Sequence, residues 1–490
     1  MGPKVKRRDF VKSVGLMGIS LFFKVSPAKP LRKRPNILWI IAEDFSPDLG
    51  CYGNTIVRTP NIDGLARGGA IYTRAYTSAP SCCPSRSGMM TGVWQIAIGA
   101  HNQRPAIKKL LPKGVHVITK YFRDAGYFTA NIRNFAQEPY GRAGTGKDDF
   151  GFQPHQHKVW DSNRWSDLQT NQPFYAQMTI SNTHRSFIRP ASIAEFQVDS
   201  ARLEVPPFYP DVPVVRQDFA DYYASTNALD VLVGKVLKRL KQDGLDENTI
   251  VMFIGDHGRP MLRGKQFLYE QGIRIPMIIR WSGHVRPGTV ADELISALDL
   301  APTFLKLADA NVPEHMHGHV FLGPNRDKPR RYIFAARDRI DEAVDRIRCV
   351  LDKQFKYIRN YMPNMPYLQP QIYREMNYPT REPLMQMFAQ KKLNKVQVRF
   401  FQSNKPQEEL YDLQKDPWET ENLAKNPKYQ NELKQLRQVL EMRLTEVGDK
   451  GATPEPMVQY LQIMEERAVK RNRWVESGRK LPQTWQQRLR

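Results

Sequence analysis

The run NILWIIA (Asn36–Ala42) is continuously apolar and ends in the carboxylate pair Glu43 and Asp44. Such a run is typical of a strand that is buried on both faces of a parallel sheet. A second run of the same kind, TIVMFIG (Thr249–Gly255), ends in the sequence Asp-His-Gly. The chain therefore contains two strands of one buried sheet, each followed directly by polar residues.

Helical segments alternate with these strands. A third strand is predicted at FYAQMTI (Phe174–Ile180), shortly before His184. Before the second strand, apolar residues follow helical spacing and stop at Gly244, a good helix terminator: Leu229, Val233, Val236, Leu237 and Leu240. This alternation predicts an α/β sandwich around a large, mostly parallel sheet. Ligands of such sheets bind beyond the carboxyl ends of the strands, where the polar clusters lie.

The composition is that of a soluble globular protein with a basic surface. The 490 residues carry a formal charge of +23, and they are enough for one large domain and a smaller one. A basic surface suits a polyanion such as nucleic acid, acidic membrane or sulfated polysaccharide, and solubility alone is the simpler explanation. No zinc-finger spacing or RNP-like segment occurs, so we expect no nucleic-acid partner.

The N-terminus has the pattern of a signal peptide. Lys4, Lys6, Arg7 and Arg8 precede the apolar stretch 14–23 and a small-x-small site that ends at Ala28. Residues 1–28 are therefore a predicted signal peptide of twin-arginine type, with a general secretory signal or a retained anchor as alternatives. We expect an exported protein, periplasmic, at the cell surface or secreted. No later apolar run approaches the roughly 18 residues of a transmembrane segment.

The chemically distinctive stretch is SCCPSR (81–86), followed by Thr91 and Gly92. A helical run after Pro84 would place Cys82 near a helix N-terminus, where amides and the helix dipole attract negative charge. Arg86 offers a planar donor fork for an oxyanion. A low-pKa thiol, a metal ligand or two buried cysteines are the alternatives. The chain has four cysteines, too few for a disulfide framework if Cys82 is modified.

This stretch resembles the signature of type I sulfatases, Cys-x-Pro-Ser-Arg, four residues, Thr-Gly. The resemblance implies that a maturase converts Cys82 to Cα-formylglycine, whose aldehyde hydrate is the nucleophile, and that Cys83 fills the variable position. It also implies an alkaline-phosphatase-like sandwich with a smaller C-terminal antiparallel sheet.

The same resemblance assigns a divalent-metal site. Glu43, Asp44, Asp256 and His257 match the family's metal ligands, with residue 82 completing the set, and calcium is the expected ion. The family more often has Asp at position 43 and Asn at position 257. The alternative is that the two pairs only cap a turn and form a loop.

Further catalytic residues follow from the resemblance. Lys147 and Asp149 are assigned the roles of the first sulfate-binding lysine and its partner, because the usual Lys-x-His after residue 130 is missing. A glycine-rich surface turn is the alternative there. His184 matches the proton donor to the leaving group, and Lys265 matches the second sulfate-binding lysine.

The pattern changes after about residue 325. The segments 331–336, 349–351 and 356–358 are predicted strands of a small antiparallel sheet. The segment 410–423 resembles the C-terminal subdomain of sulfatases, where it precedes a final helix, here at about 429–447. We therefore predict a catalytic domain over 34–325, a C-terminal subdomain over 326–450 and a basic extension over 451–490. The extension either packs as a helix or stays mobile.

The resemblance is greatest to the heparan N-sulfatase group, through His184-Arg185 and the segment 416–424. It implies a sulfated, glycosaminoglycan-like carbohydrate substrate and leaves N- and O-sulfate open. Five residues are candidates for substrate binding: His101, Arg104, Arg337, Asp338 and Arg339. A solvated hairpin is the alternative for the last three. The rival functions are a phosphodiesterase or phosphonate monoester hydrolase of the alkaline phosphatase superfamily and a non-catalytic glycan-binding protein.

Overall fold

The structure, a computed structural model, describes residues 34–155 and 157–477. The predicted signal peptide at 1–28 lies outside the described residues, as do the last residues of the predicted extension, 478–490. Within the described part of the chain, no helix is both long enough and apolar enough to cross a membrane.

A ten-stranded mixed sheet forms the centre of the fold, in the order β10-β2-β9-β7-β1-β6-β5-β4, with β3 also paired to β6 and β8 to β2. β1 lies between β6 and β7 and is parallel to both. β9 is antiparallel to its neighbours, and so is β5. The strands are β1 (Asn36–Ala42), β2 (Ala70–Tyr76), β3 (Phe128–Asn131), β4 (Arg133–Glu138), β5 (Gly141–Thr145), β6 (Phe174–Ile180), β7 (Thr249–Gly255), β8 (Arg274–Ile275), β9 (Met277–Arg280) and β10 (Thr289–Ser296).

Helices cover both faces of this sheet, which explains the unbroken apolar run of β1. Leu38 and Ile40 pack into one hydrophobic core, whereas Ile37, Trp39 and Ile41 pack into another on the opposite face. The helices up to residue 307 are α1 (Pro60–Arg67), α2 (Cys82–Thr91), α3 (Ile118–Asp124), α4 (Ile188–Ala191), α5 (Pro213–Gln242), α6 (Glu270–Ile273) and α7 (Leu300–Leu307). The predicted sandwich is therefore confirmed.

A second, antiparallel sheet follows, with the strand order β11-β12-β13-β14. Its strands are β11 (Ile333–Arg337), β12 (Ile347–Leu351), β13 (Phe355–Asn360) and β14 (Glu408–Asp412). The remaining helices are α8 (Ile372–Asn377), α9 (Arg381–Ala389), α10 (Lys395–Val398), α11 (Gln430–Val447) and α12 (Met457–Glu476). The small sheet confirms the predicted fold class, while the domain boundaries at 325 and 450 stay predictions.

The two sheets are tied together by a buried ion-pair cluster. Lys356 of β13 lies 2.8 Å from a carboxylate oxygen of Glu270 in α6 and 2.8 Å from one of Glu419. Its side chain is fully buried. A buried cation between two carboxylates fixes the position of the small sheet against the edge of the large one.

The central strands bring the polar clusters together. Ala42 at the end of β1 is in register with Ile180 of β6 and with Gly255 of β7. All three strands run in the same direction, so residues 43–44, 181–184 and 256–258 emerge at one edge of the sheet.

Candidate active site

Cys82 is the first residue of α2, and it is 1% exposed. All ten residues of this helix are buried, and its last turn closes at Gly92, whose φ of +67° suits glycine. The Ser85 hydroxyl donates a 2.5 Å hydrogen bond to the carbonyl of Asp256. This bond holds the N-terminus of α2 against the end of β7, so the Cys82 side chain faces the polar edge of the sheet.

Four buried side chains form a group that could hold a metal ion: Asp44, Cys82, Asp256 and His257. One potential ligand atom from each lies within 4.8 Å of those of the others. The Asp256 carboxylate accepts hydrogen bonds from the backbone NH groups of Asp44 (2.8 Å) and His257 (3.0 Å). Two carboxylates at fixed positions are suitable oxygen ligands for a hard divalent cation.

The ring orientation of His257 is compatible with metal ligation. Its Nδ1 donates to the carbonyl of Gly258 at 3.0 Å, so Nε2 points at Cys82 Sγ (3.2 Å) and at an Asp44 oxygen (3.0 Å). Burial lowers the pKa of His257, but Asp256, Cys82 and Asp44 outweigh it and raise the pKa to about 10. A cation bound to these carboxylates would displace the Nε2 proton and leave a lone pair for ligation. The residues therefore fit a divalent metal.

Glu43, the fifth predicted ligand, contacts a lysine instead. Its Oε2 accepts a 2.9 Å hydrogen bond from Lys147 Nζ, and it is not among the four grouped side chains. Glu43 nevertheless adjoins Asp44 in sequence and is 5% exposed.

Lys147 lies in the site although the sequence offers no standard lysine motif there. Gly144 and Gly146 have φ of +81° and +63°, and these left-handed turns lead the chain from β5 back to the sheet edge. The Lys147 carbonyl accepts hydrogen bonds from Gln177 (3.1 Å) and Arg86 (3.4 Å). Burial lowers the pKa of Lys147, but the charges of residues 82 and 43 raise it overall. Lys147 therefore stays charged.

Lys265 also lies close to Cys82. Its Nζ is 2.7 Å from one Asp44 oxygen and 3.8 Å from Cys82 Sγ. Burial raises the pKa of Asp44, but Lys265, His184 and His257 outweigh it and hold the pKa well below its usual range.

Arg86 provides a third cation and an unused donor. Its Nε donates to an Asp256 oxygen at 3.1 Å, and its Nη1 donates to the Thr179 hydroxyl at 3.2 Å. Its Nη2 is buried and has no hydrogen-bond partner among the described residues. Because an unmade buried hydrogen bond is costly, this donor favours an anion at the site.

His184 lies on the more open side of the cluster, with 27% of its side chain exposed. Its Nδ1 donates to the carbonyl of Arg185 at 2.7 Å, so Nε2 faces Asp44, 4.0 Å away. Burial lowers the pKa of His184. The ring can exchange a proton through Nε2 with a group that departs toward solvent.

Of the five candidates for substrate binding, Arg104 contacts the site through Asp149. It makes a bidentate contact with Asp149 at 2.9 and 2.7 Å, and Asp149 lies 3.6 Å from Lys147 Nζ. His101 lines a separate cavity of about 480 Å³ together with Asp338 and Arg339.

The other three candidates have structural contacts. Arg337 has a fully buried side chain, 3.3 Å from Asp345, so it exposes no surface to a sugar. Asp338 accepts a 2.9 Å bond from Arg348. The guanidinium of Arg339 pairs with Glu455. The charged segment at 337–339 is therefore buried and not a solvated hairpin. A role of Asp338 and Arg339 in substrate binding stays a prediction.

Tyr373 of α8 also lies at the site, and no sequence motif predicts it there. Its ring centroid lies 5.1 Å from Lys265 Nζ and 6.1 Å from the ring of His184, and its hydroxyl is buried without a hydrogen-bond partner among the described residues. No local motif marks this residue, because its place follows from how the 361–401 segment packs over the edge of the large sheet.

Comparison with known proteins agrees with this geometry. The profile of the sulfatase family matches residues 35–310, which is more than half of the chain. This chain belongs to the sulfatase family. A second profile, the C-terminal region of N-sulphoglucosamine sulphohydrolase, matches residues 255–369.

Relatives of known activity cover most of the sulfatase chain. An ulvan-active sulfatase of Formosa agariphila is 35% identical over 474 residues, covering 87% of this chain and 77% of the relative. Human N-sulphoglucosamine sulphohydrolase is 25% identical over 461 residues, covering 84% of this chain and 90% of the relative. The solved structure of a 2-O GAG sulfatase superposes with a TM-score of 0.61 at 22% identity, covering 86% and 94%. The enzyme is a sulfuric ester or sulfamate hydrolase with an alkaline-phosphatase-like fold.

Proposed function

We propose that this sulfatase removes sulfate from a sulfated carbohydrate, with residue 82 as the nucleophile after conversion of Cys82 to formylglycine. The observation that carries the proposal is the position of Cys82 at the buried N-terminus of α2, with Lys265 at 3.8 Å and His257 at 3.2 Å from Sγ. Positive charges and helix-terminal amides around one small side chain stabilise a nucleophilic oxygen and the transferring anion.

Each surrounding side chain has a role in the proposal. Lys147, Lys265 and the free donor of Arg86 bind the non-bridging sulfate oxygens. His184, in its doubly protonated form, gives its Nε2 proton to the departing oxygen or nitrogen of the sugar and is left as the neutral ring with a proton on Nδ1. Asp149 positions the ammonium group of Lys147, 3.6 Å away. Among these groups His184 is the most exposed, at 27% of its side chain, so we place the sugar on its side of the site.

A divalent cation, which we propose to be calcium, would be held by Asp44, Asp256 and His257, with residue 82 and Glu43 adjacent. Bound there, it would supply Lewis-acid stabilisation of the anion. Calcium is the preferred candidate because carboxylate oxygens dominate the donor set.

Chelation tests the metal site. We expect dialysis against EDTA to lower sulfatase activity at least about 100-fold, since the carboxylate cluster loses its cation. Elemental analysis of the purified enzyme should give about one calcium per chain, and an Asp256→Asn variant should lose most of it. Asp292→Asn is the control variant, because Asp292 is exposed and pairs with Lys353, and it should keep its calcium. Full activity in metal-free protein would contradict the assignment.

Sulfate release from defined substrates tests the function. Ulvan oligosaccharides come first, because the relative at 35% identity is ulvan-active, followed by N-sulfated and O-sulfated glucosamine derivatives. We expect ion chromatography to detect free sulfate from at least one of them, with turnover of roughly 1–100 s⁻¹. Phosphate release from phosphodiesters or phosphonate esters without sulfate release would instead support the rival hydrolases.

The proposed activity also requires maturation of Cys82, and we propose that the mature enzyme is exported. Conversion of Cys82 depends on a formylglycine-generating maturase, so the enzyme must be produced in a host that has one. The twin-arginine-like sequence at 7–12 suits export of a protein that is modified and folded before it leaves the cytoplasm.

A further inference from the structure

The C-terminal extension contributes a helix to the surroundings of the active site. Residues 103 and 340 form a parallel bridge, with the amide of Gln103 donating to the carbonyl of Arg339 at 2.9 Å. Paired backbones of this kind lie about 5 Å apart. The next residues on the two segments, Arg104 and Asp341, are therefore neighbours.

α12 packs on this paired segment through one face. The Tyr460 hydroxyl donates to the carbonyl of Glu342 at 3.1 Å, Ile463 is buried, and Arg467 donates to the carboxylate of Asp341. The three residues are spaced by three and four positions, the repeat of one helix face. Asp341 thus lies between Arg467 of the extension and Arg104 of the catalytic domain.

Lys470 extends this basic cluster by one helical turn. It follows Arg467 by three residues, on the same side of α12, and it is exposed. Burial lowers the pKa of Lys470, and the positive charges of Arg467 and Arg104 lower it further. The carboxylates of Asp341 and Glu466 raise the same pKa but are outweighed by the two guanidinium groups, so positive charge is in excess around Lys470.

The cluster is connected to the reacting centre through Asp149. One oxygen of Asp149 is shared by Arg104 at 2.7 Å and Lys147 at 3.6 Å. The exposed fraction of the side chains rises from 16% at Lys147 to 48% at Arg104. Beside them a cavity of about 610 Å³ is lined by Asp149 and Lys108 among others. Arg104 therefore lies nearer to solvent than Lys147 does.

We propose that Arg104, Arg467 and Lys470 form a second anion-binding site at the mouth of the active site. It takes an oxyanion substituent, a carboxylate or a second sulfate, on the sugar next to the one that loses its sulfate. The proposal rests on the proposed function and names its substrate class: an oligosaccharide with at least two negative charges. Guanidinium and ammonium groups bind both kinds of anion.

The test compares two charge-reversal variants on three substrates. Lys470→Glu alters the cluster, and Lys434→Glu is the matched control at an exposed lysine of α11. The substrates are a monosulfated monosaccharide, a disaccharide that adds a uronate carboxylate, and a disaccharide that adds a second sulfate. We expect Lys470→Glu to raise KM about 10-fold for a doubly charged substrate with kcat unchanged. KM for the monosaccharide should be unaffected.

The disaccharide that shows the larger KM change identifies the anion as carboxylate or sulfate. Equal KM values for Lys470→Glu and Lys434→Glu on every substrate overturn the second site. A binding measurement separates this result from failure of the proposed function. Calorimetric titration of Cys82→Ala and Cys82→Ala/Lys470→Glu with both disaccharides should show about 10-fold weaker binding in the double variant, even if the wild-type enzyme releases no sulfate.

Discussion

Cys82→Ala is expected to lower the rate of sulfate release by roughly 10⁵-fold or more, which is about the factor by which removal of the nucleophile slows other hydrolases. Alanine offers no atom that a maturase can oxidise, and no other side chain of the cluster can take its place at the N-terminus of α2. The fold should persist, because the substitution removes one small sulfur and alanine favours the helix. Ion chromatography of released sulfate and thermal unfolding measure the two effects.

Cys83→Ala is the matched control for this prediction. Cys83 is the neighbouring residue of the same helix, equally buried, and its sulfur lies 3.8 Å from the carbonyl of Asn102. Its replacement should leave turnover within about threefold and cost about 1 kcal/mol of stability. Mass spectrometry should find the aldehyde or its hydrate at position 82 in this variant. Sulfate release by Cys82→Ala at a rate close to that of the wild type, or equal losses in both variants, would refute the nucleophile assignment.

The central strands could be predicted from sequence because their burial is total. Along Asn36–Ala42 successive side chains pack into opposite cores, so the run has to be apolar on both faces. These strands also predict where the site lies, because parallel strands bring together the residues that follow their carboxyl ends. The sequence therefore predicts Asp44, Asp256 and His184 at one edge of the sheet, while their roles at that edge follow from the family resemblance.

Residues placed by long-range packing could not be predicted in the same way. The charged segment at 337–339 has the composition of an exposed hairpin, yet the Arg337 side chain is fully buried and Arg339 pairs with Glu455, which is distant in sequence. Tyr373 and Arg467 lie near the site on two helices, and no sequence motif predicts the positions of these helices. In each case a contact between distant segments decides the position, and periodicity reports only on local structure.

Lys265→Met is expected to lower kcat by about 10²- to 10³-fold in enzyme saturated with calcium. The side chain keeps its length and loses its charge, so the transferring sulfate loses one of its three cationic contacts. Asp44 also loses the ammonium group 2.7 Å away, which should destabilise the metal-free protein by about 3 kcal/mol. Calcium should restore much of that stability, because the cation replaces the missing positive charge.

Lys405→Met separates the catalytic effect from the cost of breaking a buried ion pair. Lys405 lies 2.6 Å from Asp345, and both side chains are fully buried in the region of the small sheet. Its replacement should destabilise the protein by a similar amount, and calcium should not rescue it. Its kcat per folded enzyme should nevertheless match that of the wild type.

Differential scanning calorimetry with and without calcium, paired with single-turnover sulfate release, distinguishes the two variants. If Lys265→Met and Lys405→Met lost kcat equally, Lys265 would have only a structural role, and the sulfate would have to be bound by Lys147 and Arg86 alone.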